Sequence, residues 1–143
     1  MIHNSLLPDI TVPETPLTPF VMQHAQRLSN EPALVEGSTG RTLTYWEFSE
    51  QVKALAGGLK QRGLGKGDVL AIMAPNVPEY AVAFHGTAWA GCTVTTVNPT
   101  YTAQEVKHQL KDSGAKLLVT VSMFLSVAQE AVQGTDVGEI FTI

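Results

Sequence analysis

The sequence predicts an α/β fold in which an N-terminal arm, a β-hairpin and a helix precede a partial, mostly parallel sheet with flanking helices. Three observations carry this reading. Four short apolar runs begin near residues 69, 93, 116 and 139, a spacing that holds a helix and two short loops but is too long for hairpins. A Thr or Asn followed three residues later by Glu, the spacing of a reciprocal helix-start pair, recurs at Thr44/Glu47, Asn76/Glu79 and Thr102/Glu105. Gly91, Gly114 and Gly134 stand where the intervening helices should stop.

Residues 1–32 read as an arm with a short helix. Pro8, Pro13, Pro16 and Pro19 fall in the first twenty residues; they remove backbone donors and favour an extended path. A helical pattern follows over residues 21–28. Residues 33–64 read as hairpin and helix. Residues 33–36 and 41–44 flank the turn-rich Gly37-Ser38-Thr39-Gly40, and Thr44/Glu47 opens a helix. Phe48, Val52, Leu55, Ala56 and Leu59 recur at spacings of three and four, one apolar stripe that ends before Gly63. Gly57 and Gly58 each weaken that helix by about 1 kcal/mol relative to alanine, which predicts close approach of a neighbouring element as compensation.

Residues 65–143 read as βαβαβαβ. A strand over 69–73 leads to a helix opened by Asn76/Glu79 and closed near Ala90. A strand over 93–97 leads to a helix opened by Thr102/Glu105 that contains Val106 and Leu110. The third strand covers 117–121, Ser122 is placed to cap a last helix reaching Val132, and 139–143 forms a fourth strand. The strands read as unbroken apolar runs, the pattern of a parallel sheet covered by helices on both faces.

Composition narrows the function classes. The 143 residues are 44% apolar and 15% charged, the balance of a packed globular chain. A net charge of −4, with nine scattered basic residues, supplies no field for nucleic-acid binding. Cys92 is the single cysteine, so the chain forms no internal disulfide and no thiolate metal cluster. Residues 1–20 lack the charged start and apolar core of a signal peptide, and no run reaches membrane-spanning length. These features together predict a cytoplasmic protein.

Few side chains are candidates for chemistry. Gly63, Gly65, Lys66 and Gly67 suggest a phosphate loop, but such a loop follows a strand and opens a helix. Here the order is reversed, and a helix stop with a turn accounts for the glycines. His85 sits mid-helix beside Phe84 without a second ligand at metal spacing, the pattern of a packing histidine. Cys92 reads as a structural thiol. No catalytic set and no metal cluster is legible. The Asn98-Pro99-Thr100 loop differs, because it falls at the carboxyl end of a parallel strand and leads into a helix N-terminus, where open α/β sheets bind ligands and backbone donors attract anions. A simple Asn-Pro turn is the alternative.

Three blocks resemble the adenylate-forming acyl-CoA synthetases. They are Leu43-Thr44-Tyr45-Trp46-Glu47-Phe48; Gly65-Lys66-Gly67-Asp68-Val69-Leu70-Ala71-Ile72 with Pro75-Asn76-Val77-Pro78-Glu79; and Ala90-Gly91 through Val97-Asn98-Pro99-Thr100-Tyr101 to Lys111-Asp112-Ser113-Gly114-Ala115-Lys116. The opening Leu7-Pro8-Asp9-Ile10 is similar to the 4-coumarate-CoA ligase and luciferase branch. The resemblance implies that residues 33–143 are the first part of a large N-terminal domain. It also implies a parent enzyme that joins a carboxylic acid to CoA through an acyl-adenylate, using ATP, Mg and CoA. The family's phosphate loop, adenine contacts and C-terminal lysine lie later, so no catalytic residue, metal ligand or cofactor is assigned within this chain, and the chain alone is expected to be inactive. Asn98, Pro99 and Thr100 match a region that lies near the CoA nucleotide in some relatives. The expected partners are the remainder of the enzyme, the acid, ATP and CoA, and the acid itself, aryl or fatty acyl, is left open. A stand-alone interaction module that uses the sheet edge at 137–143, including for self-association, is the rival reading. A dinucleotide-binding oxidoreductase lacks its glycine fingerprint.

Overall fold

The computed structural model describes residues 7, 8 and 10–143; residues 1–6 and Asp9 of the expected arm lie outside the described residues. The arm departs from expectation. Its helix, α1, is Leu17–Val21, with Pro16 at the cap and Pro19 inside the first turn, where the backbone N–H has no intrahelical acceptor to lose. The helix expected over 21–28 shrinks to a 3₁₀ turn, Met22–His24. Only Ala25 is buried over that stretch, too little apolar contact to hold a helix in water.

The hairpin forms from β1 (Pro32–Val35) and β2 (Thr42–Thr44), antiparallel, with Leu34 opposite Leu43. Helix α2 (Tyr45–Gln61) opens on the expected reciprocal pair: Glu47 N donates to Thr44 Oγ1 at 3.2 Å and Thr44 N donates to Glu47 Oε2 at 2.8 Å. Phe48, Val52, Ala56 and Leu59 are buried along its stripe.

The parallel sheet contains β3 (Val69–Met73), β4 (Thr93–Thr96), β5 (Ala115–Thr120) and β6 (Glu139–Thr142), joined by α3 (Pro78–Ala90), α4 (Ala103–Ser113) and α5 (Leu125–Ala131). The order is β4-β3-β5-β6, every pair parallel. Alternation along β3 separates two cores. Leu70 and Ile72 face α2 and α3 through Ala56, Leu59 and Ala83. Ala71 and Met73 face α4 and α5 through Val106, Leu110, Ala128 and Ala131.

Four expectations about these elements need correction. Asn76 and Glu79 form no cap pair: α3 starts at Pro78, with Val77 as N-cap and no side-chain cap bond. Proline at the first position supplies the helical φ and needs no acceptor, so the start moves past Asn76. Ser122 does not cap α5; it opens a 3₁₀ turn, Ser122–Phe124, and α5 follows with Phe124 at its uncapped start. Burial is unbroken over residues 70–73 of β3 and 117–120 of β5, with Lys116 exposed, whereas the edge strands β4 and β6 have exposed ends; among the described residues each of these two has a neighbour on one side only. Finally, an added Cβ at Gly57 would meet nothing within 4 Å and one at Gly58 only the Arg62 side chain. The close approach to α2 instead uses Gly86 of α3, beneath Leu55. Among the described residues no helix is long and apolar enough to cross a membrane.

Candidate functional site

The carboxyl ends of the parallel strands gather the loops after β3, β4 and β5 on one rim. The chain passes from β3 outward to β4, then back across β3 to β5, so the strand order reverses between β3 and β5, the position where open α/β sheets form their ligand crevice. There Thr120 Oγ1 donates to Met73 O at 2.8 Å in a buried bond, which ties the two strand ends together and keeps both polar groups satisfied.

The Asn98-Pro99-Thr100 loop lies at the carboxyl end of β4, one strand away from that reversal. Asn98 Oδ1 accepts from Thr100 N at 3.0 Å and from Thr100 Oγ1 at 2.9 Å, while Tyr101 N donates to Asn98 O at 3.1 Å. The asparagine side chain thus imitates a backbone carbonyl and fixes a tight turn. Asn98 and Pro99 border a cleft of 540 Å³ between the ends of β3 and β4, together with Pro75, Asn76, Tyr80 and Val97. Thr100 takes part through the turn and not through the cleft wall. No charged side chain lines this cleft. Asn76 and Tyr80 went unassigned in the sequence, although the first turn after a strand in such a sheet necessarily faces this rim.

The anion affinity expected of the helix that follows is already engaged. Thr102 N donates to Glu105 Oε2 at 2.8 Å and the Thr102 hydroxyl to the same oxygen at 2.7 Å. These bonds, the backbone one first, hold the Glu105 carboxyl below the ordinary carboxylate value. The chain's own anion occupies that helix start.

The remaining candidates resolve as structure. Gly63 and Gly67 adopt φ of 80° and 98°, and Gly65 N donates to Asp68 Oδ2 at 2.9 Å; the loop spends a glycine amide on an internal carboxylate, as a turn does. His85 Nδ1 lies 3.1 Å from Thr18 Oγ1, and its ring meets Phe48 and Phe84 edge-on. Burial pushes its pKa down. Cys92 is a half-buried free thiol whose pKa is pushed up by burial and then by the nearby Asp68 charge, the reverse of an activated nucleophile. Among the described residues no three His, Cys, Asp or Glu side chains gather to hold a metal.

Comparison with known proteins gives these features a context. The profile of the AMP-binding enzyme family matches residues 21–141. The 4-coumarate–CoA ligase 3 of Arabidopsis thaliana is 41% identical over 125 residues, covering 87% of this chain and 22% of the relative. The 4-coumarate-CoA ligase 1 of Narcissus pseudonarcissus is 39% identical over 129 residues, covering 90% and 24%. Among solved structures, a long-chain-fatty-acid-CoA ligase from Archaeoglobus fulgidus superimposes with a TM-score of 0.89 at 23% identity, covering 99% of this chain and 30% of that one. A fatty acyl CoA synthetase from Mycobacterium tuberculosis superimposes with a TM-score of 0.78 at 26% identity, covering 88% and 26%. The chain spans less than a quarter of the length of these two plant relatives.

Proposed function

Since the chain belongs to the AMP-binding enzyme family, we propose that it is the first part of an ATP-dependent acid–CoA ligase. In the complete reaction a carboxylate attacks the α-phosphate of ATP, forming acyl-adenylate and pyrophosphate; the CoA thiol then displaces AMP. The family match over 21–141, with its plant ligase relatives, is the observation that carries this reading.

Within that reaction the described residues supply scaffold and one rim of the site. We assign magnesium and the ATP phosphates to the rest of the enzyme, since among the described residues no three His, Cys, Asp or Glu side chains gather and the glycine loop at 63–67 is closed on Asp68. No chemical step is therefore routed through residues of this chain. The cleft bounded by Asn98 and Pro99 suits the CoA side better. Its carboxamides at Asn76 and Asn98 offer hydrogen bonds, Tyr80 contributes to its apolar wall, and no carboxylate stands there to repel phosphate. Asn98 and Thr100 keep that rim in one conformation through their turn. The acid, ATP and the rest of the enzyme are the further partners, and the cytoplasm is the proposed location.

The test is acid-dependent exchange of labelled pyrophosphate into ATP, with Mg-ATP and a panel of aryl and medium-chain acids. The chain alone is expected to give no exchange above a protein-free control; exchange that deletion of residues 98–102 abolishes would overturn the scaffold assignment. A second reading is a non-catalytic interaction module whose contact surface would be the edge of β6, which pairs on one side among the described residues. A coding sequence that continues in frame into a Ser/Thr/Gly-rich loop decides for the ligase, and a natural stop after Ile143 for the module.

A further inference from the structure

Arg41 ties the hairpin to the start of α3. Within the turn, Glu36 Oε2 accepts from the Thr39 hydroxyl and from Arg41 Nε, the latter at 3.3 Å, and Arg41 N donates to Thr39 Oγ1 at 3.1 Å. With Nε anchored, the guanidinium presents both terminal nitrogens to Glu79: Nη1 donates to Oε1, and Nη2 donates to Oε2 at 2.7 Å. Such a fork fixes the direction of the carboxylate as well as its distance. Glu79 stands in the first turn of α3, a helix that starts without a side-chain cap bond. Its chain neighbour Tyr80 borders two hollows. One is the cleft shared with Asn76, Asn98 and Pro99; the other is a groove of 260 Å³ between α3 and the hairpin residues Leu34 and Glu36. The fork therefore joins the hairpin to one wall of the cleft across 38 positions of sequence.

We propose that Arg41, through its fork to Glu79, is a positioning residue for the nucleotide end of CoA: it holds the first turn of α3 so that Asn76 and Tyr80 keep their places beside Asn98. This role rests on the ligase reading and on CoA entering that cleft. An aromatic ring flanked by carboxamides is a set of groups that receives a purine, by stacking and by paired hydrogen bonds. Such groups bind well only when the residues behind them hold them in place. Arg41 makes no direct contact with CoA in this arrangement, because its guanidinium is engaged by two carboxylates. A lysine at 41 would supply the charge without the fork. The pair and the cleft both lie inside the stretch that the family profile matches.

Steady-state kinetics of the complete protein encoded by the gene tests the proposal, with acyl-CoA formation and acid-dependent pyrophosphate exchange followed separately. Arg41→Ala is expected to raise KM for CoA about fivefold, the effect of losing a partly exposed ion pair. Meanwhile kcat, and the KM values for ATP and acid in the exchange assay, should stay within about twofold. Glu79→Gln should act alike, and the double variant R41A/E79Q should be no worse than either single one, since all three remove the same contact. Arg41→Lys should recover only part of the loss. With pantetheine, which lacks the nucleotide, as acyl acceptor, the variants should match the unmodified enzyme. Thermal melts establish that the variants are folded, and Glu79→Gln, which keeps the side-chain volume, carries the test if Arg41→Ala does not fold. An unmoved KM for CoA, a loss shared equally by the exchange reaction, or an equal loss with pantetheine would overturn the positioning role and leave the ligase reading standing. An unmodified protein that forms no acyl-CoA from aryl and medium-chain acids would overturn both.

Discussion

Gly86 lies so close beneath Leu55 that a Cβ placed on it would stand 2.6 Å from Leu55 Cδ2 and 2.9 Å from both Cβ and Cγ. The contact sets the spacing of α2 and α3, the two helices that cover one face of the sheet. Gly86→Ala is therefore expected to destabilise the fold by about 1–3 kcal/mol through overpacking, despite the better helix propensity of alanine. Gly57→Ala, on the exposed side of α2 with nothing within 4 Å, should stabilise by up to about 1 kcal/mol. Urea unfolding of the two variants should move the midpoint in opposite directions.

Loss of a cap should be felt at α2. Thr44→Ala removes the acceptor for Glu47 N and is expected to cost about 1 kcal/mol, read as a lowered urea midpoint without a change in slope.

Acid should weaken the same devices. Hydrogen bonds from Thr44 hold Glu47 below its ordinary value of 4.5, bonds from Thr102 do so for Glu105, and Arg41 does so for Glu79. A carboxylate whose folded pKa is depressed contributes stability that is present above the unfolded value and lost as pH falls through the folded one. Stability should hold from neutrality down to about pH 4.5 as far as these groups are concerned, then decline. Replacing Glu105 with Gln should flatten part of that decline in acid-titrated thermal melts.

His85 gives a separate signature. Its folded pKa is depressed by burial below 6.5, so the neutral ring is favoured and its contribution to stability is lost as pH falls through the folded value. An NMR titration should find its midpoint below that of the unfolded chain. Thr18→Val removes the hydroxyl beside Nδ1 while keeping the volume of a side chain that is 1% exposed. A cost of about 1 kcal/mol is expected, with faster amide exchange over residues 17–21 as α1 loosens from α3.

Cys92 should react slowly. Its raised pKa leaves little thiolate near neutrality, so alkylation by iodoacetamide at pH 8 should run slower in the folded chain than in urea. Equal rates would contradict the placement of the thiol.

The parts that were legible in the sequence are those whose signals are local. Thr44/Glu47 and Thr102/Glu105 carry both halves of a cap within four residues, and Gly91 and Gly114 adopt the left-handed conformation that stops a helix. These short-range signals locate the four strands. Asn76/Glu79 has the same spacing, yet Pro78 between them claims the helix start. Gly57 and Gly58 announce a close contact that belongs to Gly86, because which glycine meets a neighbour depends on how α2 and α3 come together. The rim bearing Asn98 could be located from strand polarity alone. Its distance from the reversal between β3 and β5 could not, since that requires the strand order, and no local pattern states the direction of a crossover.

That order also has a temporal side. Val69 pairs with Thr93 and with Ala115, and the second partner is synthesised about two dozen residues after the first. At typical elongation rates of about 5–20 residues per second, β3 and β4 wait on the order of one to five seconds for β5. During that wait the side of β3 that becomes the centre of the sheet is an open edge on a growing chain, with α2 and α3 already able to shield one face. Nascent chains stalled with β4 outside the ribosome and β5 still within its exit tunnel should therefore recruit holdase chaperones more strongly than chains stalled with β5 fully outside.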